Sequence, residues 1–182
     1  DQNIDPSDIE KKISKKTKAI MPVHLSGKPC EMDKIIAISK KHNIPIIEDA
    51  AQSIGTKYRN KFVGTFGKVG CFSAHPLKNL NAVGDAGYLV TNDNKLAKKA
   101  MLLRNHGIEK RNNVLHFGYV SRMDNLQATV LNLRFKDLTK VIKKRRINAK
   151  LYTKYLKDIK NIRIIKENED EFHTYHTFVV MA

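Results

Sequence analysis

The sequence contains few cysteines and no long apolar run. Cys30 and Cys71 are the only two cysteines in 182 residues, and neither belongs to a C-x-x-C pair. This usage fits a protein of the reducing cytoplasm. No apolar run approaches the roughly 20 residues that a membrane helix needs, so we expect no membrane partner. Internal repeats and low-complexity segments are also lacking, and the 41% apolar content agrees with a soluble globular protein.

Acidic residues are scarce relative to basic ones. The chain has 34 Lys and Arg against 18 Asp and Glu, a formal net charge of +16. Such a balance suits nucleic acid or an anionic small substrate. The cations nevertheless recur between apolar positions at helical spacing, as on solvated helix faces, and no nucleic-acid-binding motif is present. We interpret the charge mainly as solvated surface, with an anionic substrate second, and expect no nucleic acid.

The order of predicted elements is that of an α/β protein. A strand at 18–25, a helix at 31–42 and a buried strand at 44–50 indicate a parallel pair joined by a crossover helix. Further along the chain the patterns predict a hairpin at 58–70, strands at 70–74 and 87–91, a helix at 94–105, one long helix at 123–156, and two strand candidates around 161–166 and 174–182.

Several polar residues follow the predicted strands, where parallel sheets bind ligands. They are His24, Glu48, Asp49, Gln52, Ser73, His75, Lys78 and Thr91. A lysine, a carboxylate, a hydroxyl and an amide at one edge suit pyridoxal phosphate. Its aldehyde condenses with a lysine, its ring nitrogen pairs with a carboxylate, and its phosphate binds hydroxyls and backbone N–H groups. Zinc is not expected, because Cys71 and His75 have no second ligand pair at suitable spacing.

One long stretch carries a specific resemblance. Residues 45–91, "PIIEDAAQSIGTKYRNKFVGTFGKVGCFSAHPLKNLNAVGDAGYLVT", closely resemble the DegT/StrS family of nucleotide-sugar aminotransferases, within the fold type I pyridoxal-phosphate enzymes. The flanks "TKAIMPVHLSGKPCEMDKI" and "SRMDNLQATVLNLR" agree. The resemblance implies a three-layer α/β large domain, a mostly parallel sheet with flanking helices, present here in part. It also implies three regions of the chain: part of the large domain at 1–122, a long connecting helix at 123–160, and the start of a small α+β domain at 161–182.

The same resemblance assigns roles to individual residues. Lys78 corresponds to the catalytic lysine that forms the Schiff base with pyridoxal 5'-phosphate, and Asp49 to the partner of the pyridine nitrogen. Gln52 lies at the ring and its hydroxyl, and Ser73 reaches the phosphate. His75 contacts the cofactor or else fills the turn around Pro76.

Other positions carry weaker expectations. Arg122 is the remaining candidate for a phosphate contact in the neighbouring subunit, because "GYVSR" places Val120 where the family commonly has Asn. Ala86 in "GDAG" replaces a usual glycine, so a positive φ there would be strained. His24 is interpreted as structural. His106 lies near substrate or simply precedes the glycine that ends its helix.

The resemblance implies an aminotransferase that moves an amino group from an amino acid, with glutamate the expected donor, to a keto group of a nucleotide-linked sugar. A homodimer with shared sites and a role in amino-sugar and surface polysaccharide synthesis are also implied. One alternative is a pyridoxal-phosphate-dependent sugar dehydratase, in which histidine typically replaces the lysine, so Lys78 argues against it. The other is a non-catalytic regulatory protein on the same fold.

Family members carry an earlier segment with a Gly-Thr phosphate-binding turn and a later small domain, and neither is expected among these 182 residues. We therefore predict that the purified 182-residue chain binds pyridoxal phosphate weakly and does not transaminate, because part of its phosphate site is missing. A coupled transamination assay checks this. Robust turnover by the 182-residue chain would contradict it.

Overall fold

The computed structural model describes residues 2–182 and has the mixed α/β architecture that the sequence predicts. Its helices are α1 (Pro6–Lys12), α2 (Met32–His42), α3 (Asn94–Leu103), α4 (Asn125–Phe135) and α5 (Leu138–Leu156). Its strands are β1 (Ile47–Asp49), β2 (Lys57–Tyr58), β3 (Lys61–Phe62), β4 (Val69–Ser73), β5 (Gly87–Val90), β6 (Ile108–Lys110), β7 (Asn113–Val114), β8 (Arg163–Ile164), β9 (Glu171–Phe172) and β10 (Val180–Met181). Within residues 2–182, no helix has both the length and the apolarity to cross a membrane.

The central sheet has the order β1-β4-β5. Strands β1 and β4 are parallel, with Asp49 opposite Cys71, whereas β5 runs antiparallel to β4. The predicted strand at 18–25 lies beside β1 in parallel but forms only isolated bridges, Ile20 with Ile46 and Val23 with Asp49. The reason is Pro22, which has no N–H to donate although its carbonyl accepts from Asp49 N at 2.9 Å.

The direction of β5 corrects the expectation for Thr91. A residue that follows an antiparallel strand lies at the opposite edge from the ends of its parallel neighbours. The Thr91 hydroxyl accordingly donates to the carbonyl of Lys68, at the start of β4, at 2.6 Å. Thr91 therefore does not lie with the other candidate site residues.

Two apolar clusters hold the helices to the sheet. The first cluster joins α1 and α2 to apolar side chains beside β1 and includes Ile9, Met32, Ile35 and Ile46. The Asp5 side chain caps α1, accepting from Ser7 N at 2.8 Å. The second cluster packs α4 and α5 against the loop that follows β4, and consists of Ala74, Leu80, Ala82, Leu131, Leu138 and Ile142. This second cluster fixes the loop that carries Lys78.

The expected single helix at 123–156 is divided into α4 and α5. The division falls at Lys136 and Asp137, and the latter residue adopts φ −102° and ψ 0°. The change of direction buries Leu131 and Leu138 together, while Leu126 and Leu133 of α4 stay 68% and 66% exposed. The prediction of one continuous helix was therefore wrong.

The predicted hairpin is present as β2 and β3. Its turn residues Arg59 and Asn60 both have positive φ, 46° and 62°, as a type I′ turn requires. Strand β2 also pairs with β9, so Tyr58 lies opposite Glu171. Residues 171–178, called here the C-terminal segment, thus pack on the same part of the chain as the hairpin. The domain boundary near residue 160 remains a prediction.

The carboxylate of Glu48 is the most heavily bonded side chain of the sheet. Its Oε1 accepts from the backbone N–H groups of Phe66 and Gly67, both at 2.6 Å, and its Oε2 accepts from Gly64 N at 2.6 Å. His24 Nε2 lies 3.1 Å from the same Oε2, and both side chains are fully buried. Glu48 points to the opposite face of β1 from Asp49, so its predicted place among the ligand-binding residues was wrong.

His24 has the structural role that the sequence indicated. Its Nδ1 accepts from the backbone N–H of Cys30 at 3.1 Å. Because that N–H can only donate, the ring proton is on Nε2 and is donated to Glu48. One carboxylate and one neutral imidazole therefore join β1, the loop at 64–67 and the turn at 24–30.

Glu48→Gln should lower the free energy of unfolding by about 2–4 kcal/mol, because one carboxylate oxygen becomes an NH2 group that faces backbone N–H donors. Burial alone would raise the pKa of Glu48, but the hydrogen bonds from His24, Gly67 and Gly64 outweigh it and hold the pKa below its ordinary value of 4.5. This contribution to stability is therefore present above pH 4.5 and lost as the pH falls below it.

Urea denaturation at pH 7 and pH 4 measures both effects. The control is Glu10→Gln, at an exposed carboxylate paired with Lys41, which should leave the unfolding free energy nearly unchanged. A Glu48→Gln protein as stable as the parent at pH 7, or with the same acid sensitivity, would contradict the role given to Glu48.

Candidate functional site

Asp49 and Ser73 lie side by side at the carboxyl ends of β1 and β4. Asp49 is opposite Cys71, and Ser73 follows two residues later on the same face of β4. All three line a pocket of about 250 Å³ on that face of the sheet. One oxygen of Asp49 accepts from Ala51 N at 3.0 Å, so the carboxylate also closes the turn after β1. The structure therefore brings these two predicted site residues together.

The orientation of the Gln52 side chain depends on an unusual backbone conformation at Ser26. Its Oε1 accepts from the backbone N–H of Ser26 at 2.7 Å. Ser26 has φ +59°, in the left-handed region that non-glycine residues seldom adopt, and it is followed by Gly27 at φ +91°. Since the Ser26 N–H can only donate, the Gln52 amide must present its oxygen to Ser26, which leaves its NH2 group as the donor on the other side.

Hydrogen bonds among its own residues close the turn from Ser73 to Lys78. Lys78 N donates to the carbonyl of His75 at 2.8 Å, and Leu77 N donates to His75 Nδ1 at 3.2 Å. The Ser73 hydroxyl accepts from His75 N at a longer 3.3 Å. One ring nitrogen of His75 thus takes part in the hydrogen bonds of the turn. A contact of His75 with a cofactor stays a prediction.

The C-terminal segment closes over this region. Thr174 forms a 2.8 Å hydroxyl contact with Thr56, and its carbonyl accepts from Asn79 Nδ2 at 3.3 Å. The hydroxyl of Thr177 donates to Ser26 Oγ at 2.9 Å. The fit is tight, because a Cβ on Gly27 would lie 2.6 Å from Thr174 Oγ1. The segment therefore contacts both the residue that orients Gln52 and the residue after Lys78.

His176 of the C-terminal segment is partly buried next to α5. Burial lowers the pKa of His176 to about 4, with further lowering by the positive charges of Lys78 and Arg145. The backbone carbonyl of His176 accepts from Arg145 Nη1 at 2.9 Å. The His176 imidazole is therefore neutral near pH 7.

Arg122 and Val120 lie apart from these residues, near the hairpin of β6 and β7. Both are exposed, and the Arg122 guanidinium lies 3.4 Å from Asn105 Oδ1, a long hydrogen-bond distance. Val120 forms an isolated antiparallel bridge with Asn105. Within one chain the structure does not bring Arg122 to the pocket of Asp49 and Ser73.

Two sequence expectations concern backbone conformation. Ala86 does not have a positive φ, so its replacement of a glycine causes no strain, and its carbonyl accepts from Ala74 N at 2.8 Å. Gly107 ends α3 with its N–H bonded to the carbonyl of Leu102 at 3.0 Å and φ +72°. This supports helix termination as the local role of the "RNHG" stretch.

Three residues near the site were missed by the sequence analysis: Ser26, Asn79 and His176. Asn79 follows Lys78 in the motif and is 7% exposed. Ser26 precedes a glycine in a turn signal, but a left-handed serine gives no local sign of its conformation. His176 comes from a part of the chain expected to begin another domain, so no spacing linked it to the strand ends.

The chain matches the DegT/DnrJ/EryC1/StrS aminotransferase family over residues 1–182. The chain belongs to this family. Among curated relatives, a "Pleiotropic regulatory protein" of Geobacillus stearothermophilus is 41% identical over 99% of this chain and 49% of its own length. A dTDP-3-amino-3,6-dideoxy-alpha-D-galactopyranose transaminase of Aneurinibacillus thermoaerophilus is 44% identical over 98% of this chain and 49% of its own length.

Solved structures agree with the family assignment. S. venezuelae DesV, in complex with a ketimine intermediate, superposes with a TM-score of 0.94 and 36% identity, covering 98% of this chain and 48% of that chain. The predicted fold class is thereby confirmed. The chain spans about half the length of the curated relatives it matches.

Proposed function

We propose that the protein containing this chain is a pyridoxal-phosphate-dependent aminotransferase that acts on a keto group of a nucleotide-linked sugar. The observation that carries the proposal is that Asp49 and Ser73 line one pocket at the ends of β1 and β4, and that the turn to Lys78 begins directly after Ser73. Membership of an aminotransferase family and the transaminase name of the Aneurinibacillus relative support it.

The donor set fits pyridoxal phosphate. A carboxylate, an amide NH2 group, a hydroxyl and a lysine match the ring nitrogen, the ring hydroxyl, the phosphate and the aldehyde of that cofactor. When bound, the cofactor condenses with amino groups and withdraws electrons from the bond to the α-hydrogen. The remaining chemistry belongs to the side chains of this protein.

Each side chain has a distinct task in the proposed reaction. Asp49 holds the ring nitrogen protonated by an ion pair. Gln52, whose oxygen is engaged by Ser26, donates from its NH2 group to the ring hydroxyl. Lys78 would hold the cofactor through its amino group and would move a proton at the α-carbon of the amino donor or at the equivalent carbon of the sugar.

The names of the relatives and the charge support a proposal for the substrate class, and the amino donor and pathway are proposed with it. The net charge of +16 suits the pyrophosphate of a nucleotide sugar. We propose glutamate as the amino donor and amino-sugar synthesis for surface polysaccharide as the context. A branch that acts on 3-keto sugars agrees with the "PLKNLNAVGD" stretch.

A homodimer with shared sites is part of the proposal. Beside Arg122, the loop after β7 exposes Phe117 completely and Tyr119 and Val120 to 72% and 68%. A cluster of solvent-exposed apolar side chains is typical of an interaction surface. A second subunit that covers this loop would bring Arg122 toward the partner's phosphate site.

A regulatory function is the second candidate. The Geobacillus relative bears a regulatory name, and the chain is strongly basic. Salt-dependent binding to duplex DNA, with affinity falling steeply between 50 and 200 mM salt, would favour this candidate, whereas turnover of a keto sugar would favour the enzyme.

Lys78 should carry the cofactor. In the full-length protein loaded with pyridoxal phosphate, borohydride reduction should leave the cofactor mass on the peptide that contains Lys78, as mapped by mass spectrometry. Lys78→Ala should abolish the adduct while Asp49, Gln52 and Ser73 still hold the cofactor noncovalently. The matched control is Lys57→Ala, which should keep the adduct. An adduct on Lys57 or Lys61 instead would show that the assignment is wrong.

Asp49→Asn should slow proton transfer by orders of magnitude, each tenfold corresponding to about 1.4 kcal/mol of barrier. The fold should persist, because the side-chain amide oxygen can still accept from Ala51 N. Single-turnover kinetics with full-length protein measure the effect. Asp93→Asn is the control: this carboxylate accepts from Lys95 and Leu96 N–H at the start of α3, away from the site. Equal rates for the two variants would refute the role of Asp49.

A further inference from the structure

The loop that carries Lys78 depends on individual hydrogen bonds for its shape. Residues 74–86 are irregular between β4 and β5, so no helix or sheet ladder holds them. Within this loop, Asn81 Nδ2 donates to the carbonyl of Pro76 at 2.7 Å. Because the lysine lies between these two residues in the sequence, the Asn81 side chain bridges the two ends of the segment that carries it.

Arg134 of α4 fixes the orientation of this bridge. Its Nη1 donates to Asn81 Oδ1 at 2.8 Å and to the Asn81 carbonyl at 2.9 Å. A guanidinium N–H can only donate, so the Asn81 amide must present its oxygen to Arg134, and its NH2 group is left for the carbonyl of Pro76. Hydrogen bonds from a charged donor are also stronger than neutral ones.

The same face of α4 holds the loop at two further points. Gln127, Leu131 and Arg134 are spaced four and three residues apart and therefore lie on one side of the helix. Gln127 Oε1 accepts from Val83 N at 2.9 Å, and Leu131 packs in one apolar cluster with Leu80. The bridge is thus attached to a helix that is itself anchored in the core.

We propose that Asn81 and Arg134 are positioning residues for Lys78. Asn81 holds the backbone of the segment that carries the lysine, and Arg134 acts through Asn81 by keeping its amide in the bridging orientation. Neither residue is assigned a contact with cofactor or substrate. The inference rests on the role given to Lys78 in the proposed function.

The expected consequence is a slower attachment of the cofactor when the bridge is lost. The loop backbone decides where the Lys78 side chain starts, and a misplacement of about 1 Å can slow a reaction roughly a hundredfold. Noncovalent binding should change far less, because Asp49, Gln52 and Ser73 lie outside the segment that Asn81 bridges.

Three substitutions separate the parts of the bridge. Asn81→Asp keeps an oxygen for Arg134 but removes the N–H groups that bond to Pro76. Arg134→Met removes the donors on a side chain of similar bulk, and Arg134→Lys keeps a positive charge and up to three N–H donors.

The assay follows the adduct at Lys78 directly. Full-length, cofactor-free protein is mixed with pyridoxal phosphate, and borohydride quenching at increasing times gives the rate at which the Lys78 adduct forms. Noncovalent affinity is measured for each variant in the Lys78→Ala background. Tyr58→Phe is the control for stability alone, because it removes the 2.6 Å bond to Asp33 between the β2–β3 hairpin and α2, away from the loop.

We expect Asn81→Asp to slow adduct formation at least about tenfold and Arg134→Met at least about threefold, with Arg134→Lys closer to the parent. Noncovalent affinity should stay within about threefold in all variants, and Tyr58→Phe should form the adduct at the parent rate. If Asn81→Asp does not fold, the two Arg134 variants still decide the question.

A parent-like rate in Arg134→Met, or in folded Asn81→Asp, would overturn the inference. So would a loss of noncovalent affinity as large as the loss of rate, or equal slowing in Tyr58→Phe, since either would show a general effect on the fold. These outcomes leave the proposed function intact, whereas an adduct on a lysine other than Lys78 would overturn the proposed function itself.

Discussion

A buried carboxylate organises the part of the fold on which the candidate site depends. Glu48 has no contact with water, yet its oxygens accept three backbone N–H groups and the His24 ring N–H. An ionised carboxylate out of water is tolerated only with such bonding. Because Glu48 and Asp49 are adjacent in β1 and point to opposite faces, the bonds on one face fix the position of the carboxylate on the other.

The same network extends to the rest of the site through the turn at 24–30. His24 holds Cys30 N, and between them Ser26 is kept in the left-handed conformation that directs its N–H to Gln52. The C-terminal segment then packs on Ser26 and Asn79. The side chains that we propose for the ring nitrogen and the ring hydroxyl of the cofactor, Asp49 and Gln52, are thus supported by contacts that lie outside the pocket itself.

Local features of the fold could be predicted from the sequence, and long-range ones could not. The hairpin of β2 and β3 and the placement of Asp49 and Ser73 at the ends of strands follow from short patterns of turn and strand residues. The expectation for Thr91 was wrong because β5 runs antiparallel to β4. An irregular loop from 74 to 86 precedes β5, and such a loop gives no sign of the direction of the strand after it. The contact of Asn79 with Thr174 depends on a segment that returns after 95 residues, and no periodicity encodes such a return.

Transfer of labelled nitrogen tests the central claim most directly. Full-length protein with pyridoxal phosphate would be incubated with ¹⁵N-glutamate and a dTDP- or UDP-linked 3-keto sugar, and the nucleotide sugar analysed by mass spectrometry. The account predicts a labelled amino sugar with the parent protein and none with Lys78→Ala. Absence of labelled sugar across such substrates, together with steeply salt-dependent binding to duplex DNA, would contradict it in favour of a regulatory protein.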